Sequence, residues 1–215
     1  MAIQDIISRR TILTGGLLGA ATMGLGSHPV HAASFTDVPV GAAFYREINW
    51  VADNRIVDGF PDGTFRPLLT VNRGFMAVYL YRLAGRPSYT APTRAYFVDV
   101  PLTSQYFREI SWLADQGVTT GYNDGTFRPG NAIHRDAMAA FFYRIAGEPG
   151  YVAPAVSPFT DVPHHAAYYK EICWMASMNI STGYGDGTYR PLDPVRRDAM
   201  SAFLYRFHFN VLSGS

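Results

Sequence analysis

A single cysteine in 215 residues excludes a disulfide framework. Cys173 stands where two other copies of a repeat hold Asn49 and Ser111, so it reads as a small buried side chain rather than a shared reactive thiol. A basic block is missing as well. The 18 Lys and Arg residues against 17 Asp and Glu give a formal charge of +1, and nothing in that balance points to nucleic acid. No apolar run reaches the ~20 residues that a bilayer-spanning helix needs. The best candidate, from Thr11 to Gly26, is weakly apolar and glycine-rich, which argues against a transmembrane segment. It follows Arg9-Arg10 and precedes Val30-His31-Ala32, the order of an n-region, an h-region and a cleavage site. Residues 1–33 therefore read as a removable signal peptide of twin-arginine type, and the chain as exported.

What the chain does have is a repeat of 62 residues, present three times. Asp37, Asp99 and Asp161 each open an Asp-Val-Pro, and Trp50, Trp112 and Trp174 follow at a constant distance. Gly59, Gly121 and Gly183 keep the step, as do the Asp-Gly-Thr triplets at Asp62, Asp124 and Asp186. So do Arg73, Arg135 and Arg197, and the Tyr-Arg pairs beginning at Tyr81, Tyr143 and Tyr205. The repeats span 34–85, 96–147 and 158–209. A fixed period of this length is the mark of a repeat architecture, and it places function in the repeat itself.

Within each copy the pattern predicts two helices around a turn. Phe44, Ile48, Val51 and Ala52 fall on one helical stripe, as do Tyr106, Ile110, Leu113, Ala114 and Tyr168, Ile172, Met175, Ala176. Gly117 and Asn179 sit where a left-handed residue would end this helix; repeat one has Arg55 there, with Asn54 as a substitute. Gly59–Pro67 is turn chemistry built on Asp-Gly, and one aspartate per segment is too few for a calcium loop. A second helix starts near Asn72, with Met76, Tyr79, Leu80 and Leu83 on one face, and ends at Gly85. Two helices cannot bury their apolar faces alone, so three units must pack together. The expected fold is all-α: three helix-loop-helix repeats forming a pseudo-threefold domain, closed or in a row, with grooves between units.

The segment Gly117-Val118-Thr119-Thr120-Gly121-Tyr122-Asn123-Asp124-Gly125-Thr126-Phe127-Arg128-Pro129, and its counterparts around Gly59 and Gly183, resemble the S-layer homology (SLH) family. The aromatic-x-Asp-Val opening and the tryptophan-bearing helix fit the same pattern. The resemblance implies a non-catalytic module of the bacterial cell envelope, needing no cofactor, that anchors to the cell surface through secondary cell-wall polysaccharide, often an acidic, pyruvylated glycan. The family arginine most tied to that ligand maps to Arg73, Arg135 and Arg197. The surrounding Thr-Arg-Ala-Glu is altered to Asn72-Arg73-Gly74-Phe75, His134-Arg135-Asp136-Ala137 and Arg196-Arg197-Asp198-Ala199. Repeat one thus lacks an acid there, and its groove is the least equipped of the three.

The arginines are candidate glycan ligands because a guanidinium beside free helix N–H groups suits an anion; the alternative is pairing with Glu47, Glu109 or Glu171. Trp50, Trp112 and Trp174 lie off the main stripe, four residues after Arg46, Arg108 and Lys170, which places them for cation–π contact, packing between repeats, or sugar stacking. Tyr122 and Tyr184 are further glycan candidates. Arg66, Arg128 and Arg190 are expected to brace the turn, and Asp37, Asp99 and Asp161 to stabilise it. His164-His165 lacks a third ligand and reads as exposed rather than metal-binding. An enzyme is disfavoured because the repeat-invariant set holds no Ser, His or Cys. The remaining alternative is a structural protein that self-assembles or meets a surface protein partner.

Overall fold

The computed structural model describes residues 35–213; the expected signal peptide lies outside the described residues. Each repeat contributes a nine-residue helix and an eleven-residue helix: α1 (Tyr45–Asp53) and α2 (Arg73–Leu83), α3 (Phe107–Asp115) and α4 (Arg135–Ile145), α5 (Tyr169–Ser177) and α6 (Arg197–Phe207). A π-helical turn, His208–Leu212, follows α6. The domain is all-α, and β pairing among the described residues is confined to three isolated bridges.

The short helices bury Ile48 and Val51, Ile110 and Leu113, Ile172 and Met175. The first position of the expected stripe behaves differently. Phe44, Tyr106 and Tyr168 precede their helices; Phe44 and Tyr168 adopt left-handed backbone (φ 59° and 58°), Phe44 and Tyr106 pack half-buried against the core, and Tyr168 is exposed. Gly117 and Asn179 end their helices with positive φ as expected. In repeat one the left-handed residue is Arg55 itself (φ 54°), not Asn54, whose side-chain amide donates to the Trp50 carbonyl. The second helices bury most of their circumference: in repeat three Ser201 and Ala202 are buried as well as the Met200, Phe203, Leu204 and Phe207 face.

The repeats close on themselves. Helix α2 packs on α3, α4 on α5, and α6 returns to pack on α1. At each seam a tryptophan meets the tyrosine of a Tyr-Arg pair edge-on: Trp112 on Tyr81 at 5.2 Å, Trp174 on Tyr143 at 5.3 Å, Trp50 on Tyr205 at 5.3 Å. Around the pseudo-threefold axis three backbone hydrogen bonds form a cycle, from Val71 N to Val195 O, Val195 N to Ile133 O and Ile133 N to Val71 O.

Each turn is tied back to the start of its own repeat. The Asp161 carboxylate accepts from the N–H groups of Tyr189 and Arg190, both at 2.7 Å, and Asp37 and Asp99 do the same in their repeats. The bonds hold Arg66, Arg128 and Arg190 in left-handed backbone (φ 55°, 59° and 56°). Those arginines reach back to Asp62, Asp124 and Asp186, whose carboxylates also accept from the following Thr. This is the bracing role expected of them, and it occupies the carboxylates that a cation would need. Hydrogen bonds from Thr and then Arg hold each of these exposed carboxyls at about 2, below the ordinary 3.8. Because the folded value is the lower one, their contribution is complete above about 3.8 and is lost as pH falls through about 2. The expected result is a melting temperature that falls more steeply from pH 4 to pH 2 in the wild type than in a triple Asn variant at these positions, measured by circular dichroism.

Candidate ligand-binding grooves

Three grooves lie between the repeats. In the two that form open cavities, the walls come from the turn and second helix of one repeat and the floor arginine from the preceding repeat, and Phe44, before a short helix of the following repeat, joins the wall of one of them. The groove of repeat two has Arg73 as its floor, with Tyr122, Arg128, Asn131, His134 and Ala137 around a cavity of about 440 Å³. The groove of repeat three has Arg135 as its floor, with Tyr184, Arg190, Arg196, Ala199 and Phe44 among the residues around about 480 Å³. The sequence candidates Arg73, Arg135, Tyr122 and Tyr184 therefore meet in two sites.

The floor arginines are buried, at 5 %, 5 % and 7 % exposure for Arg73, Arg135 and Arg197. None pairs with Glu47, Glu109 or Glu171. Instead each Nε donates to a turn carbonyl, of Phe127, Tyr189 and Phe65 respectively. Beyond this shared bond they differ. Arg197 also donates to the Tyr79 hydroxyl and the Asp58 carbonyl, so every guanidinium nitrogen is engaged. Arg135 adds one bond, to Ser181 Oγ at 3.2 Å. Both Nη atoms of Arg73 lack a hydrogen-bond partner among the described residues. Burial pulls the Arg73 and Arg197 guanidinium groups below their ordinary pKa.

Tyr122 lies between two guanidiniums, with Arg128 at 3.9 Å and Arg73 at 4.9 Å from its ring. Tyr184 lies likewise between Arg190 and Arg135, at 4.0 and 5.0 Å. Both tyrosines remain 39 % exposed, so their outer edges face the groove. Repeat one holds Phe60 in this position, between Arg66 and Arg197.

The helix N-termini do not offer the free donors expected of them. The N–H groups of Arg73 and Gly74 bond to the carbonyls of Asn131 and Pro129, and Arg135, Asp136, Arg197 and Asp198 repeat the pattern. The Asn72 side chain accepts from Phe75 N, and the Asp136 and Asp198 carboxylates accept from Ala137 N and Ala199 N. Any anion would be met by guanidinium and aromatic groups, not by the helix ends.

The tryptophans belong to the seams. Trp112 and Trp174 are 3 % exposed and present no ring face to a sugar, so their candidacy as glycan contacts gives way to packing between repeats. Trp50 is half-buried, covered by Tyr205, His208 and Phe209. The basic residue preceding each tryptophan stacks on the seam tyrosine instead: Arg46 on Tyr205, Arg108 on Tyr81, Lys170 on Tyr143. His164 and His165 are exposed. Among the described residues, no three His, Cys, Asp or Glu side chains gather as a metal site would require.

In repeat one a half-exposed phenylalanine stands at the corresponding place. Phe75 takes the place of Ala137 and Ala199, stacking on Tyr79 at 6.2 Å and meeting Tyr106 edge-on at 5.5 Å. The Tyr106 ring lies over Gly74, where an added Cβ would come within 2.6 Å of it. Reading the residues by type missed this substitution, although aligning Phe75 with two alanines displays it. Phe44 was missed as a groove residue because helical phase puts it on the core stripe.

The fold and its grooves define a class: a closed ring of three helix pairs that presents candidate binding grooves between units. The chain belongs to the S-layer homology domain family, whose model matches residues 34–77, 96–139 and 158–201. It is similar to Cell surface glycoprotein 1 of Acetivibrio thermocellus, 30 % identical over an alignment of 159 positions that covers 69 % of this chain and 7 % of that one. The Cellulosome-anchoring protein of the same organism is 27 % identical across 69 % of this chain and 34 % of its own length. S-layer protein EA1 of Bacillus anthracis is 28 % identical across 92 % of this chain and 23 % of its own. The chain thus spans about a third or less of these relatives.

Proposed function

We propose that this protein is exported by its twin-arginine-type leader and held at a bacterial cell surface by binding secondary cell-wall polysaccharide. The sites are the grooves of repeats two and three, and the polymer bears carboxylate or other acidic groups. The supporting observation is the pair of Nη atoms of buried Arg73, left without hydrogen-bond partners on the floor of an open groove, with Arg135 in a similar position next door. A buried guanidinium with free donors favours a planar anion that can accept two bonds. Tyr122, Tyr184 and Phe44 supply flat apolar surface of the kind sugars stack against. No catalysis enters this role.

Truncating the arginines would test folding as much as binding, since each also satisfies a buried carbonyl. A cleaner variant copies the Phe75 of repeat one. The double substitution Ala137→Phe, Ala199→Phe should retain the melting temperature within a few degrees and lose at least tenfold in co-sedimentation with purified sacculi. Wild-type residues 34–215 should sediment with intact sacculi and not with sacculi stripped of secondary polymer. Undiminished sedimentation of the folded double variant would remove the grooves from the proposal. A second reading, contact with a surface protein, is favoured by Leu68 and Leu192, 67 % and 70 % exposed at matching repeat positions. It predicts that stripping the polymer leaves binding to wall-associated protein intact.

A further inference from the structure

Each repeat carries an arginine in the last turn of its second helix, Arg82, Arg144 and Arg206, where a positive charge suits the helix dipole. Its surroundings differ from repeat to repeat. In repeat one the arginine is held by an acid, with Arg82 Nη1 2.6 Å from Asp58 Oδ2. The equivalent residues in repeats two and three are Thr120 and Thr182, which carry no charge. Arg206 keeps one hydrogen bond, from Nη1 to the Ile180 carbonyl at 3.3 Å, and has no salt bridge among the described residues.

Both Thr182 and Arg206 line the cavity of about 480 Å³ in repeat three. On α6 the lining residues Ala199, Ala202, Phe203 and Arg206 fall at i, i+3, i+4 and i+7, one face of the helix. Arg206 thus lies roughly 10 Å along the groove from Ala199. In repeat two only Ala137 of the corresponding helix α4 lines the cavity, and Arg144 is not on its wall. Four arginines line the groove of repeat three. Arg190 and Arg196 are paired with Asp186 and Asp198, at 2.8 and 2.9 Å. Arg135 and Arg206 are not paired, and Asp193, the one acid on the lining, forms no salt bridge with either.

We propose that the groove of repeat three is a two-anion site, in which Arg135 meets one oxyanion of an acidic glycan and Arg206 meets a second. The proposal rests on the glycan-binding reading above and adds a ligand class: a saccharide bearing two carboxylate or phosphate groups. The groove of repeat two, with Arg128 paired to Asp124 and Arg73 unpaired, holds one such group. Arg135 stands over the Phe203 ring at 5.5 Å, and Arg206 is the next lining residue on that face of α6, about one turn on. Nε and Nη2 of Arg206 have no hydrogen-bond partner among the described residues, which leaves a planar fork for a two-point bond to an oxyanion.

The test copies the acid of repeat one. Thr182 is exposed, so Thr182→Asp leaves the core intact and places a carboxylate where Asp58 holds Arg82. It is made in Ala137→Phe, which obstructs the groove of repeat two, so that sedimentation with purified sacculi reports on repeat three. Thr182→Asp should weaken binding roughly tenfold, the effect of losing one hydrogen-bonded charge pair, and flatten its dependence on ionic strength. Arg206→Gln should match it at an unchanged melting temperature. Thr182→Asn, of the same size without the charge, should change binding less than twofold. So should Thr120→Asp in Ala199→Phe, where the groove of repeat two is the open one and Arg144 is off its wall. Repeating the comparison on sacculi with amidated carboxyl groups identifies the second oxyanion: a Thr182→Asp effect that persists marks a phosphate, and one that vanishes marks a carboxylate. Undiminished binding by Thr182→Asp and Arg206→Gln overturns the proposal while leaving groove binding standing, and so does an equal loss with Thr182→Asn or Thr120→Asp. Sedimentation of the wild type but not of Ala137→Phe overturns it too, by placing all binding in repeat two. Failure of the wild type itself to sediment overturns the glycan reading and the proposal together.

Discussion

Gly183→Ala is expected to lower the melting temperature by roughly 6–12 °C, equivalent to about 3 kcal/mol for a domain of this size. Gly183 has φ +71°, and a Cβ there would stand 2.5 Å from Phe159 Cε1 and 2.6 Å from the Thr188 carbonyl oxygen. The left-handed conformation alone costs a non-glycine residue about 1–2 kcal/mol. The close approach adds a further 1–3 kcal/mol by forcing buried neighbours apart. The Thr188 carbonyl cannot retreat freely, because it accepts from Tyr184 N at 2.8 Å and closes the turn. Phe159 packs on Tyr189, which is fully buried, so the ring has little room either. Two residues on, Gly185→Ala is the control: nothing lies within 4 Å of its Cβ. A scanning calorimetry trace in which the two variants melt together would show that the turn yields more readily than its contacts imply.

Trp174→Ala is expected to destabilise by about 3–5 kcal/mol, the range for removing a large buried aromatic side chain. Its ring is 3 % exposed and sits edge-on to Tyr143 at 5.3 Å and Phe207 at 6.4 Å. Trp50→Ala at the corresponding position should lose less, since half of that ring's surroundings are the π-helical turn and water. Urea midpoints of the two variants, with unchanged slopes, would measure the difference. Equal losses would mean that the terminal turn packs as tightly as a linker does.

Much of each repeat was legible in its residues because the governing forces are local. The helical stripe, the Gly117 and Asn179 caps, the Asn72 start and the Asp-Gly turn each follow from periodicity or backbone preference over a few positions. The tie from Asp37, Asp99 and Asp161 spans a longer stretch, yet its repetition disclosed a structural task. What could not be read depends on contacts between units. The first-turn N–H groups look free in the sequence; carbonyls from the next repeat fill them. Phe44 looks like a core residue, and it also lines the groove of repeat three, which depends on where the neighbouring repeat lies. Spacing alone could not choose between ring and row, because α6 meets α1 through no local signal. The unequal grooves were visible in principle, in Phe75 against two alanines and His134 against Arg196, once equivalent positions are compared for their differences rather than their identities.

The return of α6 to α1 has a kinetic side. The Trp–Tyr clasps at Trp112 and Trp174 join residues about 31 apart in the chain, whereas the clasp at Trp50 joins residues about 155 apart. Logarithmic growth of loop entropy makes that last closure only about 1.4 kcal/mol more demanding than the others. The first two seams are therefore expected to assemble early from neighbouring repeats, and the third to form after the transition state for folding. Weakening Trp50, His208 or Phe209 should accelerate unfolding and leave the refolding rate nearly unchanged. On a cell surface this makes one seam the timekeeper: the lifetime of the closed ring, and of the two grooves that depend on it, is set where repeat three meets repeat one.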